Sequence, residues 1–390
     1  MNIDKLRDSK QFMQKLMEVA ITPIFVVDEN MAIQSFNDSF STLFNKTENE
    51  IIGKLPGNAF GCVFASDKEI CGETDHCVKC ILRKHMEKAI RENSESGRKV
   101  IEKEFIINDK IVKKQLSMEI KPLDFGHEKY YVGIFNDVSD IVELEDTVYM
   151  QYEKMKRDLL FARGLQTSLL PVDNDLGPLH LSYIFKPCET LGGDFLDFYR
   201  IDRQNIAFII ADVSGHGITS SMFTMFLYSM LNREEKSPAL LLESAFKEFA
   251  KFNITAETYI TMLVAVVNTW NRTVTFANAG FTNPPAVVYG ARIEKVDVSG
   301  IPISNWVSEA AYEEKRLRFK SGDRLIFFSD GITEMRTDSS SFIGGDYLYG
   351  TLADRDTPPQ KLIQGVFTHS SENKNYIIND DITIAIIDYK

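Results

Sequence analysis

Four aspartates standing at the ends of apolar strand segments constrain this chain more than any other feature. They are Asp194 (after Gly192 and Gly193), Asp212 (closing the run Ile206–Ala211), Asp330 (after the run LIFF) and Asp380 (the first aspartate of NDDITIAIID). A fold that uses them together must bring strand ends remote in sequence to one edge. Asp-Gly is common in turns, so one such aspartate means little. Four at strand boundaries, two of them beside glycine, read as carboxylates gathered for hard divalent cations.

The rest of residues 172–390 is strand-rich. LHLSYIFKP, IAFIIAD, YITMLVAVVN, TVTFANAG, PPAVVYG, DRLIFFSD and DITIAIIDYK read as strands, with helices over SSMFTMFLYSMLN and ESAFKEFAKFN. Runs such as IAFIIA and LIFF have no polar face. They are expected to be buried on both sides, in a sheet sandwich with helices outside.

The order GGDF.D, DVSGHG, TYITMLVAVVN…TVTFANAGF..PP, GD.LIFFSDGITE and DDITIAIID resembles the PPM-type (protein phosphatase 2C-like) serine/threonine phosphatases, and more narrowly their bacterial SpoIIE/RsbU-like branch. The resemblance covers about residues 160–390. It implies an α-β-β-α sandwich and a two-metal hydrolase using Mn2+ or Mg2+. By position, Asp212 bridges the two ions and the backbone carbonyl of Val213 completes one site. Asp194 binds one ion directly or through water, and Asp330 and Asp380 hold the other. Asp212, Asp330 and Asp380 are thus the expected catalytic residues. Asp381 is an alternative to Asp380, which the motif favours. His216 is a candidate proton donor or a loop-structuring residue. Asp197 and Glu334 are expected to be structural. Phe281 stands where the family often has histidine, which removes any inference about substrate contacts there. GGDF also spells the signature of diguanylate cyclases, but that reading leaves DVSGHG, SDGITE and DDIT without a purpose.

Residues 1–138 read differently. Thr22–Asn30 and Met31–Asp38 form a strand pair, Phe36–Lys54 short helical turns, and KVIEKEFIIN, KIVKKQLSMEIKPL and KYYVGIFNDVSD three further strands. With the "VVDEN…I..FN.SF" opening and the "GIFNDVSDI" close, this segment resembles a PAS sensor domain, an antiparallel sheet with helices. Four of the five cysteines crowd into it as C-x8-C-x5-C-x2-C (Cys62, Cys71, Cys77, Cys80). Thiolates at such spacing suit zinc or an iron–sulfur cluster. The plainer alternatives are reduced thiols under a loop or a disulfide formed on purification. A haem or small ligand in the PAS interior is also open.

Between the two, residues 139–171 carry apolar or small residues at Ile141, Leu144, Val148, Tyr152, Met155, Leu159, Ala162 and Leu169, mostly three or four apart. This is a helix seam, ended by Pro171. It belongs either to a single amphipathic helix or, preferably, to a parallel two-chain coil making a homodimer through the helix and the PAS domain.

The expected fold class is therefore α+β multidomain, with a PAS-like domain at 1–138, a signalling helix at 139–171 and a phosphatase domain at 172–390. A net charge of -12 argues against nucleic acid or an anionic membrane as partner. No apolar run approaches the roughly 20 residues of a membrane span, and the first residues lack a signal-peptide core, so a cytoplasmic protein is expected. The resemblance implies a phosphorylated STAS-type protein (an anti-sigma-factor antagonist) as substrate, under control of the PAS domain. The alternative is a catalytically silent dimeric scaffold or pseudophosphatase.

Overall fold

The computed structural model describes residues 10–65, 69–125, 128–252, 258–335, 344–372 and 379–390. The chain divides into two compact units, Met1–Glu153 and Lys154–Lys390.

In the first unit, α1 (Lys10–Val19) precedes β1 (Ile24–Val27) and β2 (Ile33–Phe36). The short helices α2 (Asp38–Phe44), α3 (Glu48–Ile51) and α4 (Pro56–Phe60) follow, and then α5 (Ile81–Glu92). The long strands β3 (Ser96–Ile107), β4 (Lys110–Phe125) and β5 (Glu128–Asp137) complete an antiparallel sheet ordered β2-β1-β5-β4-β3. All five expected strands are present. Helix α5 was not among the expected elements; it covers the sheet with Leu82, Met86 and Ala89.

Aromatic packing fills the space between helices and sheet. Phe25, Phe40, Phe44, Phe60, Phe105 and Phe135 are fully buried, and neighbouring rings lie 5.1 to 6.5 Å apart. Gly133 on β5 is required, because a Cβ there would stand 2.1 Å from the Phe25 ring. Asn37 stitches the start of the unit together. Its side-chain oxygen accepts from the N–H of Phe40, capping α2, and from that of Ile24 (3.1 and 2.8 Å). Its amide donates to the carbonyls of Ala20 and Thr22.

Helix α6 (Ser139–Ser168) is a single run of 30 residues, and the boundary between the units falls inside it. Tighter i→i+3 bonds at Leu169 and Leu170 close it ahead of Pro171.

The second unit is a sandwich of two antiparallel sheets. Its strands are β6 (Asp175–Leu176), β7 (Leu179–Lys186), β8 (Asp194–Arg200) and β9 (Asn205–Val213), then, after helices α7 (Ile218–Met230) and α8 (Pro238–Ala250), β10 (Ile260–Asn268), β11 (Thr273–Ala279), β12 (Ala286–Tyr289), β13 (Arg292–Lys295), β14 (Lys315–Arg318) and β15 (Arg324–Phe328). Helices α9 (Gly345–Leu352) and α10 (Pro359–Glu372) and strand β16 (Ile382–Tyr389) finish the chain. One sheet is ordered β14-β11-β10-β9-β8, the other β13-β12-β15-β16-β7-β6.

Period-two alternation sorts the apolar residues into layers. On β9, Ile206, Phe208 and Ile210 face the other sheet, where they meet Leu325, Phe327, Ala385 and Ile387. Ala207, Ile209, Ala211 and Val213 face α7 and α8. The opposite sheet is covered in the same way, by α9 and α10 on Ile326, Phe328, Ile384 and Ile386. Each fully buried Ile or Phe contributes about 1.5–3 kcal/mol. The expected α-β-β-α layering is therefore observed, and it accounts for strands with two apolar faces. The expected elements lack the edge strand β8, the short strands β6, β13 and β14, and helices α9 and α10; RIEK and KRLR read as charged surface, and DFLDFYR is broken by charges.

Candidate active site

Strand β8 pairs with β9 so that Asp194 lies directly opposite Asp212. By alternation both aspartates fall on the inter-sheet face, at the end where the apolar filling stops. In the other sheet, Phe328 pairs with Ile384, so the end of β15 and the start of β16 coincide. Asp330 then opens a 3-10 turn (Asp330–Ile332) and Asp380 precedes β16. Hydrogen bonds tie the two sheet edges together: Ser329 Oγ (2.9 Å) and Thr383 Oγ1 (2.5 Å) both donate to Asp194 Oδ2.

Asp381 is a clamp. It is only 2% exposed; its Oδ1 accepts from Cys188 N (2.7 Å), and its Oδ2 from Gly193 N and from Asp194 N (3.3 Å). The glycines are dictated by this arrangement. A Cβ on Gly192 would stand 2.7 Å from Asp381 Oδ2, and one on Gly331 would stand 2.0 Å from the Asp381 carbonyl oxygen. Asp380 is half-buried, with Oδ1 accepting from the Asp381 amide (2.8 Å). The backbone at Val213 is held against the same loop, its N–H donating to Gly193 O (3.1 Å).

The electrostatics are those of crowded acids. Burial first, and then Asp330, Asp380, Asp381 and Glu334, push the Asp212 carboxyl up to about 8. Burial and the neighbouring Asp212 raise Asp194 well above the ordinary range. Burial, with Asp330, Asp381 and Glu334, also raises Asp380. Asp212 thus lies within the field of every other expected catalytic aspartate. Oxygen donors in such excess fit hard divalent cations, which would relieve the mutual repulsion. Among the described residues, however, no three His, Cys, Asp or Glu side chains stand in a ready-made ligand cage. The statement covers the four PAS cysteines too, so the geometry lends zinc or an iron–sulfur cluster no support.

The remaining candidates separate cleanly. His216 is largely exposed and pairs through Nδ1 with Glu189 Oε1 (2.7 Å), tying together two loops at the rim. Phe281 is packed in the inter-sheet core. Asp197 lies away from the cluster, buried and ion-paired with Arg233, whose guanidinium covers the rings of Tyr199 and Tyr228. Glu334 does more than expected, since its charge reaches both Asp212 and Asp380.

Gln166 lies outside the expected site residues. It is 5% exposed on α6. Its amide donates to Gly192 O (2.6 Å) and Thr224 Oγ1 (3.1 Å), and its oxygen accepts from Gly192 N (3.2 Å). Its sequence signal is its place in A..LQ..LLP (Ala162–Pro171), which resembles the entry helix of bacterial stress-regulator phosphatases.

Two sheets face to face, helices outside and acids converging at one rim define the PP2C-type phosphatase fold. The solved SiaA-PP2C domain of Pseudomonas aeruginosa is similar, with a TM-score of 0.55 at 18% identity, covering 62% of this chain and 99% of that one. Residues 202–390 match the family described as Stage II sporulation protein E (SpoIIE), and residues 11–60 match the PAS fold. The chain thus carries a PAS-type region at residues 11–60 and a SpoIIE-type PP2C phosphatase region at residues 202–390. Among curated proteins it is similar to two of Bacillus subtilis (strain 168). Phosphoserine phosphatase RsbU is 23% identical over 245 residues, 60% of this chain and 71% of that protein. Phosphoserine phosphatase RsbP is 24% identical over 247 residues, 60% of this chain and 58% of that protein.

Proposed function

We propose that this chain is a signal-regulated, metal-dependent protein phosphatase acting on phosphoserine or phosphothreonine. The observation that carries this reading is the placement of Asp212 opposite Asp194 and within the field of Asp330 and Asp380. Asp212, Asp194, Asp330, Asp380 and the Val213 carbonyl would hold two Mn2+ or Mg2+ ions. Such a pair, when bound, activates a water for in-line attack and neutralises the phosphoryl oxygens. The chain's own task is to fix the donors in advance. Ser329 and Thr383 orient Asp194, Asp381 pins the Gly192–Asp194 strap, and Gln166 holds the same strap from α6. Preset donors avoid reorganisation when charge develops on the phosphoryl group.

The substrate we propose is a phosphorylated STAS-type protein, as the SpoIIE/RsbU-like motifs imply; the likeness to two phosphoserine phosphatases supports its phosphoserine. Domains at 1–138, 139–171 and 172–390 are part of the proposal. Control by the PAS domain through α6 and homodimerisation along it are part of the proposal. Ile141, Leu144, Val148, Tyr152 and Met155 are each more than half exposed, which supports a partner helix there. A cytoplasmic location accords with the absence, among the described residues, of any helix long and apolar enough to cross a membrane.

The test is Mn2+-dependent phosphate release from a phosphorylated STAS protein. Asp212→Ala is expected to lower the rate at least about 1,000-fold, as loss of several kcal/mol of transition-state stabilisation requires. Equal rates for wild type and variant would refute the assignment and return the scaffold reading.

A further inference from the structure

The PAS cysteines do not behave as one group. Cys80 Sγ accepts from Lys103 Nζ at 3.1 Å, and Cys62, 4% exposed, lies near the same lysine. Cys77 lies within the field of the same lysine, but its hydrogen bonds are elsewhere. Its sulfur accepts from the backbone N–H of Gly72 (3.2 Å) and lies 3.1 Å from Thr74 Oγ1. Gly72 N is bonded to the carbonyl carbon of Cys71, so standard geometry places Cys77 Sγ within about 5.6 Å of Cys71 Cα. Gly72 has φ +109°, and a Cβ there would strike the Arg83 guanidinium at 2.1 Å. Arg83 in turn donates to the Cys71 carbonyl (3.0 Å), fixing the turn that presents this N–H. The Cys71 side chain points inward, its sulfur against Gly57.

Cys62, Cys71 and Cys80 border one small cavity with Lys103, with room for about one water (about 10 Å³). That is far too small for a haem. Lys103 and Arg83, the cations beside these sulfurs, would repel a divalent ion.

We propose that Cys77 is a hydroperoxide-reactive thiolate and Cys71 its resolving thiol, the pair forming a reversible disulfide. A partly exposed sulfur that accepts from a backbone N–H and lies within hydrogen-bond reach of a hydroxyl, next to a second and more enclosed sulfur, is the arrangement redox-reactive cysteines use. In the first step the Cys77 thiolate attacks the terminal oxygen of the hydroperoxide. The O–O bond breaks, the alkoxide leaves and takes a proton, and Cys77 becomes a sulfenic acid. In the second step Cys71 sulfur attacks Cys77 sulfur. The S–O bond breaks, and the departing hydroxide takes the Cys71 proton to leave as water. Sulfur loses two electrons overall, and the peroxide gains them.

The full chain, purified reduced and desalted, is treated with one equivalent of hydrogen peroxide, digested without reductant and mapped by mass spectrometry. A Cys71–Cys77 link is expected, reversed by dithiothreitol. Cys71→Ser should instead accumulate dimedone-trappable sulfenic acid at Cys77, and Cys77→Ser should leave Cys71 reduced. Thr74→Val should slow the first step roughly five-fold, as loss of one hydrogen bond to the sulfur would. First oxidation at Cys62 or Cys80 would overturn the proposal. So would an undiminished rate in Cys77→Ser, or about one equivalent of zinc or iron bound to the purified protein with all four thiols protected.

Discussion

The two units fill their interiors in opposite ways. The PAS unit closes its centre with six interlocked phenylalanine rings and leaves space for about one water. The phosphatase unit is equally apolar through its sandwich, but stops the filling at one edge and buries carboxylates against one another. The first interior is spent on stability. The second gives up stability at one place so that a charge-seeking site exists there. Functional sites are commonly where stability is conceded.

The largest effect that would break this contrast lies in the rings. Phe60→Ala is expected to cost the PAS unit about 3–5 kcal/mol, because neighbouring rings cannot collapse into the space. Chemical denaturation followed by a probe within residues 10–137 checks it, and a loss below about 1 kcal/mol would show the ring cluster to be loosely packed.

A second effect tests a buried acid outside the site. Burial outweighs the Arg233 ion pair and pushes Asp197 up to about 6 from an ordinary 3.8. The folded state therefore holds a proton that the unfolded chain releases between those values. This group's contribution to stability is fully present below about pH 4 and is lost as pH rises to 6, a swing of about 3 kcal/mol. Comparing the pH dependence of unfolding in wild type and Asp197→Asn isolates it. Parallel curves across that window would mean that the ion pair, not burial, governs this carboxyl.

The third and smallest effect sharpens the contrast at the site itself. With chelator present, Asp212→Asn is expected to stabilise the phosphatase unit by about 1–3 kcal/mol, since it removes one of the crowded acids. The same change in a ring-filled interior could only destabilise. Thermal unfolding in EDTA reads the sign directly, and a destabilised variant would mean that the acids are not in conflict.

The central strands, the layering and the acid-ended turns at Asp194, Asp212, Asp330 and Asp380 are legible in sequence, because buried strands and such turns leave local marks. What escaped were partners that act across the fold. Asp381 looked like a spare ligand; its part in holding Gly193 and Cys188 arises only when residues 187 and more apart in sequence come together. Gln166 and Glu334 escaped for the same reason. Helix α5 is masked in the sequence by the charge of ILRKHMEKAIRE, whose buried stripe is only Leu82, Met86 and Ala89. The cysteine spacing suggested one metal cage, whereas the folded turn divides the sulfurs between Lys103 and Gly72. Spacing alone does not tell which way a thiol points.

Calorimetric titration of Mn2+ into the full, chelator-stripped chain tests the central claim most directly. Two ions per chain should bind to wild type, and binding should weaken at least about ten-fold in Asp212→Asn, where both sites lose a shared donor. Wild type that takes up no manganese, or a variant that binds two ions as tightly, would contradict the account.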